Sequence, residues 1–306
     1  MKHSLTITAL LLGMFFITQL IGLGVVVSYA PEKQEVVEFR GNESIVTNIT
    51  IYHLPYGMEP PQNLEPRASL TSIIIALMIA ITLMFLLMRL RAELFLRIWF
   101  FVVVALAIGI TLFAALPKTL FVSLLTLLIA LPLAYIKVFK RNIIVHNFTE
   151  LLIYPGIAAI FVPLVTVTTA IILLILISLY DMYAVWHTGF MQRMAHYQIH
   201  TLKLFSGFFV PYLSREQRIA LAKKGAATKR VNVQVAILGG GDVVFPIIIA
   251  GVVVQQLSFW HGLLISLGAT LALALLFYLS KKGKFYPAMP FISMGCFIAL
   301  ALAYLL

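Results

Sequence analysis

The chain has 306 residues, 62% of them hydrophobic and 11% charged, with a formal net charge of +11. Soluble domains carry about a quarter charged residues, so this is a polytopic membrane protein whose backbone groups must be satisfied inside helices. The single cysteine, Cys296, excludes an intramolecular disulfide and any multi-cysteine metal site.

Apolar runs near 20 residues, long enough to span a bilayer, fall at 5–29, 70–88, 98–116, 119–136, 143–163, 166–189, 234–254, 260–279 and 287–306. They predict an all-α protein with nine transmembrane helices. The first run ends in "VVSYA" before Pro31, which faintly resembles a signal-peptide cleavage site. Its apolar length exceeds the roughly 7–15 residues of a signal h-region, so a retained anchor is expected. Segment 30–69 carries six glutamates and sequons at Asn42 and Asn48, and reads as an outer loop open to glycosylation. Within it, "EVVEFR" and "SIVTNITIYHL" alternate apolar with polar residues, which predicts a small hairpin. Pro155, Gly156 and Pro163 break up the fifth run, and Pro163 marks the turn into the sixth.

Segment 190–233 is basic and amphipathic, and reads as an interfacial connector between the sixth and seventh runs or as a substrate-gating loop. Its "SREQRIALAKKG" reads as a short helix capped by Ser214 and ended by Gly225. The chain thus divides into a six-helix part (1–189), a basic cytoplasmic loop (190–233) and a three-helix part (234–306). With the N-terminus placed inside, 18 of the 22 Lys and Arg fall on the inner side; Lys33, Arg40, Arg67 and Lys118 fall outside. That split predicts a multi-pass protein of the cell membrane, N-terminus cytoplasmic and C-terminus extracellular. The positive charge is then a matter of topology and lipid headgroups, not a nucleic-acid footprint.

Nine of the eleven acids are glutamates, six in the outer loop, two in inner loops, and Glu150 about two turns into the fifth run. The other two, Asp181 in "LISLYDMYAVW" and Asp242 in "LGGGDVVF", are the only aspartates. Ionisable groups at membrane depth are costly and mark function by default. Both lie about eight residues from the inner end of their run, so helical rise puts each roughly 12 Å in. Antiparallel neighbours at one depth let the carboxyl groups meet, and two that approach closely share a proton. One then serves as base toward water and one as acid toward a carbonyl. Gly239, Gly240 and Gly241 strip side chains before Asp242, and Pro246 has no N–H for the Asp242 carbonyl. Tyr180 adjoins Asp181 but diverges by about 100° around a helix, so its hydroxyl borders the site or is an ordinary buried tyrosine.

Tyr180-Asp181, Gly239-Gly240-Gly241-Asp242 and Pro287-Ala288-Met289 resemble, in order and span number, the Tyr-Asp, Gly-x-Gly-Asp and Pro-Ala-Leu marks of the presenilin and signal peptide peptidase family. The third departs by methionine for leucine, of similar apolar volume. Orientation resembles the presenilin branch and "GGGDVVFP" the peptidase branch, which a prokaryotic, archaeal single-chain homologue of both would reconcile. The resemblance implies an intramembrane aspartyl protease cutting transmembrane protein or peptide substrates. Asp181 and Asp242 would be catalytic, and Pro287-Ala288-Met289 would lie beside the active site. It implies no metal or organic cofactor, and a homo-oligomer is compatible with it.

The competing reading is a proton- or cation-coupled transporter or channel using the same two acids. Other membrane proteases fit less well. His196 and His200 in "HYQIH" stand at i, i+4 with Tyr197 where a zinc protease needs glutamate, and no G-x-S-x-G elbow is present.

Overall fold

The computed structural model describes residues 5–40, 43–51, 53–58, 66–90, 92–140, 142–188, 206–212, 234–280 and 286–306. Nine α-helices run through them: α1 (Leu5–Ser28), α2 (Pro66–Arg89), α3 (Glu93–Ala114), α4 (Leu120–Tyr135), α5 (Ile143–Phe161), α6 (Val167–Tyr183), α7 (Gly240–Gln256), α8 (Phe259–Leu279) and α9 (Met289–Leu305). Six segments are long and apolar enough to cross a membrane: α1, α3, Leu120–Lys140, Ile143–Leu164, Val167–Trp186 and α8. Helices α7 and α9, of 17 residues each, are apolar but shorter.

Local chemistry sets several boundaries. Thr119, Asn142 and Thr166 cap α4, α5 and α6 by accepting first-turn N–H groups. Pro163 falls in the 3-10 turn Val162–Leu164 between α5 and α6, as its position predicts. Pro155 does not break α5, which runs on to Phe161. The Thr111 hydroxyl donates to the Leu152 carbonyl at 2.6 Å, supplying a partner where the proline disturbs the ladder.

Between α1 and α2, β1 (Glu32–Arg40) pairs antiparallel with β2 (Glu43–Ile51), the hairpin read from alternation. Below it, Tyr56 holds φ 62, a left-handed conformation unusual for a bulky residue. Its hydroxyl bonds Thr126 Oγ1 at 3.0 Å and fills the space left by Gly109, whose Cβ would fall 2.4 Å from that oxygen. Tyr29 donates to the Ile110 carbonyl at 2.7 Å, and burial pushes the phenols of both Tyr29 and Tyr56 upward.

The seventh run departs from expectation. Residues 234–239 are not helix but strand β4 (Gln234–Gly239), paired antiparallel with β3 (Gly207–Tyr212) in a register running from Gly207↔Gly239 to Tyr212↔Gln234. The burial alternates as a strand's does. Ala236 and Leu238 are buried while Val235 and Ile237 are exposed, a two-residue period, and Gly239 separates the strand from the helix. Strand β3 is therefore an ordered part of the connector; the helix expected at 214–225 lies outside the described residues.

Helices α1, α5 and α7 pack on one another at the centre. The α3–α4 pair leans on α5, the α8–α9 pair on α1 and α7, and α6 lies against α7 and α9. Small residues bring backbones together, the usual solution where lipid removes the hydrophobic drive. A Cβ on Gly156 would sit 2.0 Å from the Ala107 carbonyl oxygen, whereas one on Gly13 meets nothing within 4 Å. Gly156→Ala should therefore cost about 1–3 kcal/mol by overpacking, and Gly13→Ala should not destabilise. Thermal unfolding of both variants in detergent checks this contrast.

Candidate active site

Asp181 lies near the C-terminal end of α6 and is 4% exposed. Its Oδ2 accepts the Met289 N–H at 3.1 Å, and the Ala288 N–H faces the same carboxylate. Helix α9 needs this partner. Ala288 at its N-cap offers no side-chain oxygen, and Pro290 has no N–H. The first amides of a helix have no acceptor of their own, so a carboxylate from α6 serves as the cap, at the positive end of the helix dipole. One turn back, Ser178 Oγ donates to Ser293 Oγ at 2.9 Å and fixes α6 to α9 a second time.

Asp242 is in the first turn of α7, not two turns inside a helix as the run length suggests. Gly239 at the N-cap has no side chain, and Asp242 reaches back to the Gly239 N–H, one half of a capping box. The two aspartates therefore do the same local job, each meeting a helix end that lacks its own cap. They lie within electrostatic range of each other, because α6 packs directly on α7.

The glycines differ in what they permit. A Cβ on Gly240 would fall 2.7 Å from the Tyr154 hydroxyl and 2.8 Å from Ser206 Oγ, so glycine is needed there for close approach. At Gly239 the nearest atom is Asp242 Oδ2 at 3.2 Å, and Gly241 faces open space apart from the Phe245 ring. Tyr180 is half-exposed, on the outside of the bundle, yet within electrostatic range of Asp181. Pro287 and Met289 are buried and Ala288 partly so, directly against Asp181.

Two residues join this neighbourhood that sequence reasoning did not find. Tyr154 is fully buried on α5, stacked edge-on to Phe208 at 5.8 Å and within range of Asp242. Gln19, the one side-chain amide in α1, donates to the Val243 carbonyl at 3.0 Å beside Asp242. Glu150 is fully buried and paired with Lys137. An amide or acid in an apolar run was the available signal; its partner, from a distant part of the chain, was not. His196 and His200 lie outside the described residues.

The sequence profile described as "Signal-peptide peptidase, presenilin aspartyl protease" matches residues 45–306. A search of curated proteins finds no match. Two solved structures of a presenilin family intramembrane aspartate protease resemble the chain. The one in space group C222 shares 18% identity at a TM-score of 0.57, covering 95% of this chain and 94% of the other. The one in P2 shares 20% identity at 0.59, covering 96% of each. At those identities the likeness is one of fold.

The capping geometry has a direct test. Asp181→Ala leaves the Met289 amide without an acceptor and should cost about 1–3 kcal/mol, while Asp181→Asn keeps an oxygen there and most of the stability. Thermal unfolding in detergent distinguishes the two; equal melting of both would contradict the cap.

Proposed function

The chain belongs to the signal-peptide peptidase and presenilin family of aspartyl proteases, and from that premise we propose that it hydrolyses peptide bonds within the membrane spans of other proteins, with Asp181 and Asp242 as its catalytic pair. The observation that carries this reading is that the chain's only two aspartates, on packed helices α6 and α7, lie within electrostatic range of each other.

One carboxylate takes a proton from water as the water oxygen bonds to the scissile carbonyl carbon. The other, protonated, donates to the carbonyl oxygen. The tetrahedral intermediate then breaks its C–N bond, the amine nitrogen receives a proton, and the pair returns to its singly protonated state. Backbone contacts orient both acids: the Met289 N–H for Asp181 and the Gly239 N–H for Asp242. Pro287, Ala288 and Met289 wall the Asp181 side and help to hold substrate.

A helical substrate must be locally unwound before water reaches its carbonyl, and its freed backbone groups need partners in a dry setting. The start of α9, with prolines at 287 and 290, is one place to look for them. There the Met289 amide is occupied by Asp181 and the Ala288 carbonyl accepts from the Ile292 N–H. The outward edge of β4, leading straight to Asp242, supports a different assignment: an extended substrate segment adding beside β4.

We further assign nine spans, with α2, α7 and α9 joining the six longest segments. The N-terminus is cytoplasmic and the C-terminus extracellular, supported by the distribution of Lys and Arg.

Detergent-purified protein should cut a transmembrane peptide, with the products identified by mass spectrometry. Asp181→Asn and Asp242→Asn should each lower kcat by about 10²–10⁴-fold. Vesicle flux that needs both acids, with no peptide bond ever cut, would assign them to ion transport instead.

A further inference from the structure

A second polar cluster, apart from the aspartates, lies between α4, α5 and β3. Lys137, in the π-helical turn Ile136–Lys140 after α4, donates to Glu150 Oε1 at 2.5 Å, and these two side chains are 1% and 0% exposed. Lys137 Nζ also lies 3.3 Å from His146 Nδ1, and His146 Nε2 lies 2.8 Å from the Gly207 carbonyl. The partners fix the tautomer. A carbonyl only accepts, so Nε2 carries the hydrogen, and Nδ1 accepts from the lysine.

All of these contacts converge on the start of β3. The Gly207 N–H donates to Glu150 Oε1 at 3.2 Å while its carbonyl accepts from His146. Two residues on, Asn147 Oδ1 accepts the Phe209 N–H at 2.9 Å and Asn147 Nδ2 donates to the Phe209 carbonyl at 2.7 Å. In an antiparallel pair, alternate residues turn their N–H and C=O away from the partner strand. Gly207 and Phe209 are such residues, so three side chains of one helix satisfy this outward edge as a third strand would. Gly207 adopts φ 147, where a Cβ is strained, so its geometry is set by the clamp on both sides of its α-carbon.

The path to the active site is short. Gly207 stands opposite Gly239 in the register, and the Gly239 N–H meets the Asp242 carboxylate. Tyr154, on the same face of α5 as His146 and Glu150, sits against Gly240 and Ser206.

We propose that Lys137, His146, Asn147 and Glu150 form a positioning clamp that holds β3, and through it β4, so that Asp242 stands in register with Asp181. This rests on the reading of Asp242 as catalytic. The clamp residues touch no reacting atom; they act through the strands. The buried ion pair is then retained for where it puts Gly207, since such pairs are poor sources of stability against apolar replacements.

Single variants would strand a buried charge, so the test removes both. Lys137→Met with Glu150→Met leaves the Gly207 N–H without an acceptor, whereas Lys137→Met with Glu150→Gln restores an oxygen there. Each is compared with wild-type protein in the transmembrane-peptide assay, alongside amide hydrogen exchange at 207–212 and 234–239. For the methionine pair, kcat should fall on the order of a hundredfold through misplacement of the acid, with KM changed less than about threefold. Exchange in both strands should rise about tenfold or more. The glutamine pair should recover kcat to within about threefold of wild type.

Equal turnover by the two pairs would overturn the clamp, as would a loss in both with strand exchange unmoved. If wild-type protein cuts no peptide, the catalytic reading falls and the inference with it. If the methionine pair does not fold, Asn147→Leu carries the same test at a half-buried, uncharged position. It should lower kcat with raised exchange at Phe209, and unchanged kcat there would overturn the clamp.

Discussion

The constraint that organises the region around the two aspartates is the unsatisfied start of a helix in a dry environment. Helices α7 and α9 begin at Gly239 and Ala288, neither of which has a side chain able to accept a hydrogen bond. In water such amides find solvent; in lipid they must find protein. Each is met by an aspartate, one from its own first turn and one from a neighbouring helix. A group that satisfies a helix end is held in place by it, so backbone N–H groups make the direct contacts that orient the two acids.

The same demand explains a two-stranded sheet among membrane helices. Isolated strand edges are intolerable at membrane depth, yet β3 survives because Glu150, His146 and Asn147 supply the missing partners along one edge. With that side closed by α5, the sheet runs on through β4 to Gly239 and Asp242.

Close packing carries these local arrangements across the bundle. Gly240 lets Tyr154 reach Ser206, and Ser178 with Ser293 holds α6 against α9 one turn from Asp181. Gly268 and Gly295 bring α8 and α9 into backbone contact, with each glycine's absent Cβ replaced by the other's carbonyl. Because α7 packs on α1, α5, α6, α8 and α9, a shift at any of these seams reaches its first turn.

The sequence alone determined the helical class, the order of the apolar segments, the hairpin after the first of them and the singular status of Asp181 and Asp242. These follow from local quantities: run length, two-residue alternation, and the cost of an acid among apolar neighbours. Tertiary structure alone decided that 234–239 is a strand, because that choice needs β3 as a partner 27 residues earlier in the register Gly207↔Gly239 to Tyr212↔Gln234. It decided likewise that Glu150 belongs with Lys137 and Gly207, that Gln19 reaches Val243, and that Met289 caps onto Asp181. Each is a hydrogen bond between distant segments, and no periodicity in a single run can encode which distant donor will face a given acceptor.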